Sequence, residues 1–344
     1  MALGGLRATL PGLAFAVAIA LAAKGLSVAT GGQVSAILLA IVFGILWRNL
    51  VSIGPWAEPG LHFAGRVLLR IGIALIGLRL TFALLKGVSL AALPIVVACI
   101  VTALVAAIVL GRLLGVAPGV RRLLAAGTAI CGATAIIAVA PIFRSRQQDI
   151  GISIACIILF GSAAMIGYPW IAHAVFGTDV GLAGMFFGAS IQDTSQVVGA
   201  ALIYAQQFDA PDAVAIAGLT KFMRTFGLLL IVPAAAMWVS RSKDMEEPEH
   251  AKDLRQSALP WFVIAFIAFA GLRTLGDFAW DGALWQQLLA WSHRASEMLL
   301  LCGMAAVGLG ITFAHLREAG WRPLAVAFLA ASATGATALV LLHF

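Results

Sequence analysis

The run from Val88 to Gly111 holds no charged residue, and it is longer than the ~20 apolar residues a helix needs to cross a hydrocarbon core about 30 Å thick. Composition extends the point to the whole chain. Of its 344 residues, 62% are hydrophobic and 11% charged, against roughly 45–50% apolar and about 25% charged in soluble domains. Turn signals and charges divide the sequence into about eleven apolar segments, near 10–28, 33–51, 62–86, 88–114, 119–143, 148–172, 179–205, 211–239, 257–273, 284–316 and 321–343. Lipid offers the backbone no hydrogen-bond partner, so spanning segments are helices or strands of a closed barrel. The alternating strands of a barrel, roughly ten residues each, are absent. The expected fold is therefore all-α: a polytopic membrane protein, one integral unit over 1–344.

The same counts exclude several function classes. The net charge of +7 is scattered between apolar spans and forms no basic face with interleaved aromatics, so lipid head groups explain it better than nucleic acid. Cys99, Cys131, Cys156 and Cys302 all lie inside apolar segments without CxxC spacing, which indicates neither a disulfide framework nor a zinc site. The six histidines are never paired at metal spacing, and HExxH, GxSxG and GxxxxGK[ST] are absent. No cofactor, metal or enzymatic role is expected, since Asp193 and Glu297 are the only carboxylates at depth and an intramembrane aspartyl protease needs two close together. Residues 8–23 superficially match a signal peptide, but no small-x-small cleavage site precedes the Gly31-Gly32-Gln33 turn, and the segment is read as a retained first span.

Trp47, Trp56, Trp170, Trp238, Trp261 and Trp321 sit near segment ends, where an amphipathic ring suits the interface. Residues 240–256 form the one strongly polar stretch, and Arg241, Lys243, Lys252 and Arg255 place it on the cytoplasmic side. With every segment crossing, the N-terminus is cytoplasmic, but Arg144 and Arg146 then fall outside and Asp179 inside. Re-entrant versions of 119–143 and 179–205 would improve the charge tally, whereas fully crossing interrupted helices are common in transporters. Both alternatives stay open on sequence alone.

Ala74–Lys86 (ALIGLRLTFALLK) aligns without a gap with Ala305–Arg317 (AAVGLGITFAHLR), in segments that would run in opposite directions, as an inverted-topology repeat demands. A weaker echo relates Gly127-Thr128-Ala129-Ile130 to Gly188-Ala189-Ser190-Ile191, at an offset that does not fit the same arrangement.

Chemistry concentrates at three places. Gln192-Asp193-Thr194-Ser195-Gln196 puts five consecutive polar residues, with Ser190 just before, inside an apolar segment rich in glycine. An aspartate at the membrane centre costs about 2.5–3.5 kcal/mol. Asp193 therefore requires a water-filled cavity, a cationic partner or a proton. A polar run covering every helix face favours a break whose freed backbone lines a cavity, the competing role being an interhelical hydrogen-bond cluster. Gly127, Thr128, Cys131, Gly132 and Thr134 form a second stretch able to unwind, with a half-helix beginning near Ala133 whose N-terminus would face the cavity. Such small residues also serve close helix packing. Lys221 and Arg224 lie three apart on one helix face, suited either to pair with Asp193 or to attract an anion. Arg79 is a similar intramembrane cation, or simply marks a helix end.

At IGIALIGLRLTF (71–82), AAGTAICGATAIIAVAPIF (125–143), GASIQDTSQVVGAA (188–201) and LTKFMRTFGLLLIVP (219–233) the sequence resembles the bacterial sulfate exporter family, grouped with the bile acid/arsenite/riboflavin transporter superfamily. The family's name does not fix a substrate. The resemblance implies two inverted repeats, a core domain with two interrupted helices, taken here to include 119–143 and 179–239, a panel domain and often a homodimer. In the family pattern a His precedes the acidic residue. Gln192 stands there in this chain, which keeps hydrogen bonding and removes a titratable group. The expected function is a secondary-active transporter of a small anion (sulfate, a sulfonate or another organic anion) in the bacterial inner membrane. Substrate contacts fall to the three stretches above and coupling to H⁺ or Na⁺ falls to Asp193. An anion channel is the alternative, and a non-transporting membrane scaffold a weaker one.

Overall fold

The computed structural model describes residues 3–31, 34–51, 53–79, 82–227, 261–279, 282–312 and 319–343, and among these it contains helices and turns but no strand. The helices are α1 (Leu3–Ala29), α2 (Ala36–Leu50), α3 (Glu58–Phe63), α4 (Leu69–Ile76), α5 (Phe82–Leu113), α6 (Pro118–Ala129), α7 (Ala133–Val139), α8 (Gln147–Phe176), α9 (Val180–Ser190), α10 (Thr194–Gln207), α11 (Asp212–Phe226), α12 (Trp261–Ala279), α13 (Ala283–Gly310) and α14 (Trp321–His343). Among the described residues, five helical stretches are long and apolar enough to cross a membrane: Ala8–Ala29, Pro55–Ile76, Ala92–Leu113, Gln148–Phe176 and Trp321–His343. The protein is thus an all-α polytopic membrane protein. Of the tryptophans expected at the interface, Trp47, Trp56, Trp170, Trp261 and Trp321 are exposed. Trp238, the 240–256 loop, His250 and His315 lie outside the described residues.

Some segment limits differ from the sequence expectation. The third segment begins at Pro55, passes through α3, a π-helical turn at Ala64–Leu68 and α4, and closes in a 3-10 turn at Gly77–Arg79. Helix α5 already runs from Phe82, so no break falls at Lys86-Gly87. The misreading has a simple cause: a lone glycine inside a helix costs only about 1 kcal/mol, which a long helix absorbs. Arg79 stands at the end of that helical run, and α13 likewise ends at Gly310, its partner in the aligned motif.

The chain divides into two compact units, each of discontinuous sequence. The first comprises residues 1–86, 201–215 and 261–313, with α13 at its centre. Helix α4 lies antiparallel to α13: Ser296 Oγ donates to the Gly72 carbonyl at 2.9 Å, and Gly303 sits beside Leu69. On another side α2 crosses so closely that a Cβ on Gly44 would stand 2.7 Å from the Ala305 carbonyl oxygen. Small residues at helix contacts are what lipid-embedded packing selects, because close approach maximises dispersion where no hydrophobic drive exists between helices. Several polar side chains in this unit are paired. Lys24 and Glu297 approach to 3.7 Å, and Asp277 accepts from Arg273 Nε at 2.6 Å and from Trp285 Nε1 at 2.9 Å.

The second unit comprises residues 87–200, 216–260 and 314–344, with α8 as its spine. Helices α6 and α7 form a hairpin against it. Val120 faces Ser153, Gly127 meets both Ile136 and Ile157, and Leu123 shares an apolar cluster with Val139 and Ala140. At the open end of the hairpin the Arg122 guanidinium lies 5.4 Å from the centre of the Phe143 ring. A crossing segment would separate those residues by about 30 Å at 1.5 Å per residue. Segment 119–143 is therefore re-entrant, and Arg144 and Arg146 return to the face that carries Arg112 and Arg121. The second interruption behaves differently. Phe186 stacks on Tyr168 with ring centres 4.9 Å apart, whereas Gln196 reaches back to Ile158 and Ser162. Between Phe186 and Gln196 the chain advances along α8, so its break does not fold it into a hairpin.

Candidate functional site

Two helix interruptions and one buried cation pair make up the site, all within the second unit. Helix α6 stops at Ala129. Ile130 leaves helical geometry at φ −117°, ψ −94°, and Gly132 takes φ +66° as the residue before α7. Only glycine adopts that backbone without strain. Helix α9 stops at Ser190, and Ile191 is extended at φ −78°, ψ 141°. Asp193 then opens α10. Its Oδ1 accepts from the Ser195 amide at 2.9 Å and the Ser195 hydroxyl at 2.6 Å, while its own N–H donates to Gln196 Oε1 at 3.3 Å. This reciprocal arrangement is a capping box with Asp at the cap and Gln three residues on.

Each interrupted helix leaves C-terminal carbonyls without an intrahelical donor, and in lipid no water stands ready to supply one. Lys221 and Arg224, both fully buried, supply those donors. The Lys221 ammonium donates to the carbonyls of Ile130 at 2.7 Å, Ile191 at 2.9 Å and Gln192. Arg224 donates from Nε to Ala129 at 2.8 Å, from Nη1 to Ala189 at 2.7 Å and Ile191 at 3.0 Å, and from Nη2 to Thr128. An ammonium has three donors, and here all three are engaged with backbone. The pairing with Asp193 considered from sequence is not among the ion pairs of the described residues.

The approach of α9 to α11 depends on Gly188. A Cβ there would meet Thr220 Cβ at 2.5 Å, the Ala217 carbonyl at 2.6 Å and the Lys221 amide at 2.9 Å. That close contact brings the end of α9 within reach of both cations. Gln196 fixes the other flank, its Nε2 donating to the Ile158 carbonyl at 3.1 Å and to Ser162 Oγ at 3.3 Å.

The residues singled out in the sequence separate into groups. Asp193, Thr194 and Ser195 are partly accessible, and Asp193 lies against Gly132 of the first interruption. Thr128 and Gln192 are buried at 1% and 2% exposure, and Thr128 Oγ1 and Gln192 Oε1 have no hydrogen-bond partner. Ser190 is occupied internally, donating to the Phe186 carbonyl at 2.5 Å. Gly127 and Cys131 are packed among apolar neighbours, and Thr134 on α7 is exposed. Sequence reasoning missed the backbone carbonyls that hold the cations, and it missed the α8 anchor at Ile158 and Ser162. The Gly161-Ser162 pair, small and polar within an apolar helix, is the signal that could have pointed to that anchor.

These features define a polytopic α-helical membrane protein with a broken-helix centre. Its membership is specific: the chain belongs to the family described as Conserved hypothetical protein 698, whose model matches residues 11–327. It is 30% identical to the UPF0324 membrane protein PA5383 of Pseudomonas aeruginosa over 335 residues, 93% of this chain and 90% of that one. It is 30% identical to the UPF0324 membrane protein TauZ of Paracoccus pantotrophus over 334 residues, 96% and 90% of the two chains. A Yersinia pestis relative, the UPF0324 membrane protein YPO1307, is 31% identical over 306 residues, 86% of this chain and 80% of its own. No solved structure matches the chain.

Proposed function

We propose that this protein is a secondary-active carrier of a small anion such as sulfate, a sulfonate or another organic anion, working by alternating access about the two interruptions. The observation that carries the proposal is the contact of a partly accessible carboxylate, Asp193, with Gly132 of the other interruption, each interruption also holding a buried unpartnered polar atom, Thr128 Oγ1 in one and Gln192 Oε1 in the other, and both being tied to a buried cation pair. An unpaired buried polar atom costs about 1–3 kcal/mol; the Thr128 hydroxyl can donate to an anion, whereas Gln192 Oε1 accepts and needs a donor such as water.

Charge supports an anion. Two helix C-termini contribute roughly −0.5 each and the two N-termini that follow them roughly +0.5 each, so these cancel and Lys221 and Arg224 leave an excess near two positive charges. Ionised Asp193 lowers that excess to about one, and a proton on Asp193 restores it. Protonation therefore favours anion entry, and anion entry favours protonation, which is the linkage a proton-coupled carrier needs. Lys221 acts in this scheme through its potential, since its donors are engaged with backbone. The face carrying Arg112, Arg121, Arg144 and Arg146 is assigned to the cytoplasm, with the N-terminus on the same side. The bacterial inner membrane and a homodimer complete the proposal.

Solid-supported-membrane electrophysiology on proteoliposomes tests it, with a panel of anions and imposed pH or Na⁺ gradients. The expected result is a saturable transient current with sulfate or a sulfonate that grows when a proton gradient is imposed. Silence across the panel overturns the reading, and non-saturating unitary conductance replaces it with an anion channel.

A further inference from the structure

Broken membrane helices offer two unlike electrostatic ends: N-termini suited to anions and C-terminal carbonyls suited to cations. In this protein the carbonyls of Ile130, Ile191 and Gln192 converge from two chain interruptions on one point, the Lys221 ammonium. That donor set is all oxygen, neutral and drawn from unwound backbone, the kind of set that holds a coupling Na⁺ in broken-helix transporters. We propose that this nest is a monovalent-cation site whose permanent occupant is the Lys221 side chain, a tethered ion in place of a free one.

Three features of the geometry support the assignment. The ammonium is fully buried, so it is not a surface lysine folded inward. Its acceptors belong to separate segments, one after α6 and two after α9, so the cation joins two interruptions that lie far apart along the chain. Lys221 also sits directly at the α9 contact, where Gly188 brings the backbones together, which holds the tether at fixed length. Arg224 serves the adjacent carbonyls of Thr128, Ala129 and Ala189 with a planar fork, a shape that no simple metal ion reproduces. The point-like ammonium is the one of the two that a small free cation can replace.

The consequence deepens the carrier proposal, on which its meaning for coupling rests. A nest already filled leaves no room there for Na⁺, and coupling then passes to the proton on Asp193. It also predicts a created site: removing the lysine side chain leaves a carbonyl cage that accepts a small ammonium ion or Na⁺.

The test uses the purified full chain in Na⁺-free detergent buffer and follows thermal unfolding. NaCl or methylammonium chloride is titrated against choline chloride at constant ionic strength. For the parent protein, neither cation shifts Tm beyond the choline control. K221A is expected to unfold at lower temperature and to recover more than half of the loss, saturably, with methylammonium or Na⁺. K221Q, whose amide fills the space, is expected to show a lower Tm with no recovery. A saturable Na⁺ response in the parent protein overturns the inference, whatever the variants do. A folded K221A that responds to both cations only as it does to choline also overturns it. Should K221A yield no folded protein, expression and purification in methylammonium decides the matter, with folded protein supporting the site and its continued absence counting against it. No step of this experiment reads transport, so its outcome is independent of whether an anion is carried.

Discussion

Gly132 and Asp193 face each other across the two interruptions: a Cβ placed on Gly132 would lie 3.0 Å from Asp193 Oδ2 and 3.1 Å from its Cβ. G132A therefore carries two penalties. At φ +66° an alanine is strained by about 1–3 kcal/mol, and its methyl presses on the carboxylate. The expected outcome is a lower Tm together with impaired uptake of whichever anion the panel identifies. A variant with parental Tm and parental uptake would show that the two breaks do not meet as described.

D193N separates the two roles of Asp193. Asn is as good an N-cap as Asp, so the contacts to Ser195 persist and stability changes little. The charge is lost, and with it the proton that Asp193 is proposed to carry. Proton-driven uptake should disappear while anion exchange at equilibrium survives. D193A should instead lose about 1 kcal/mol in addition, visible as a lower Tm. Full proton-driven uptake by D193N would remove Asp193 from the coupling step.

The sequence displays the locations of the breaks well and their wiring poorly. Glycines and hydroxyl residues at 127–134, and five polar residues at 192–196, stand out because lipid-exposed helices exclude both. Lys221 and Arg224 stand out for the same reason. Their partners do not, because a backbone carbonyl is carried by every residue and no letter marks the one left without a donor. A lysine aimed at Ile130, Ile191 and Gln192 thus reads as a lysine in search of an anion or a carboxylate. The hairpin at 119–143 was undecidable for a related reason. Apolar helices read alike whether they run on or turn back, and only Arg144 and Arg146 leaned toward the return.

Arg224 should resist replacement even by lysine. R224K keeps the charge but not the fork, so it cannot serve the carbonyls of Thr128 and Ala189 together, and each carbonyl left dry costs about 1–3 kcal/mol. R224A removes the charge partner of both helix ends and should cost about 3–5 kcal/mol, in the range for breaking a buried charged network. Thermal unfolding should rank the parent above R224K and R224K above R224A. Equal stability of parent and R224K would mean that charge alone suffices.

Gly188 gives a steric test of the α9 to α11 contact. G188A forces a methyl against Thr220, the Ala217 carbonyl and the Lys221 amide, and overpacking of this kind costs about 1–3 kcal/mol. Gly167 is the control. It lies within α8 with nothing inside 4 Å of an added Cβ, so G167A should be neutral or stabilising by up to about 1 kcal/mol, the usual gain on replacing a helical glycine. If both variants unfold at the parental temperature, the close approach that lets Lys221 reach the end of α9 is absent.

The re-entrant hairpin makes the sharpest topological prediction. Gly115 precedes α6 and Ser145 precedes α8, and both Gly115 and Arg146 line one shallow cavity together with Arg322. A crossing helix at 119–143 would send Ser145 to the opposite face, about 30 residues of chain and a full bilayer away from Gly115. The four native cysteines are buried, so single cysteines introduced as A117C, beside Gly115 in the same cavity lining, R144C and R322C report with little background. In oriented vesicles all three should react with a membrane-impermeant maleimide from the same side, and a cysteine in place of Asp179, which starts α9 at the far end of α8, should react from the other. Labelling of R144C from the side of position 179 would contradict the hairpin.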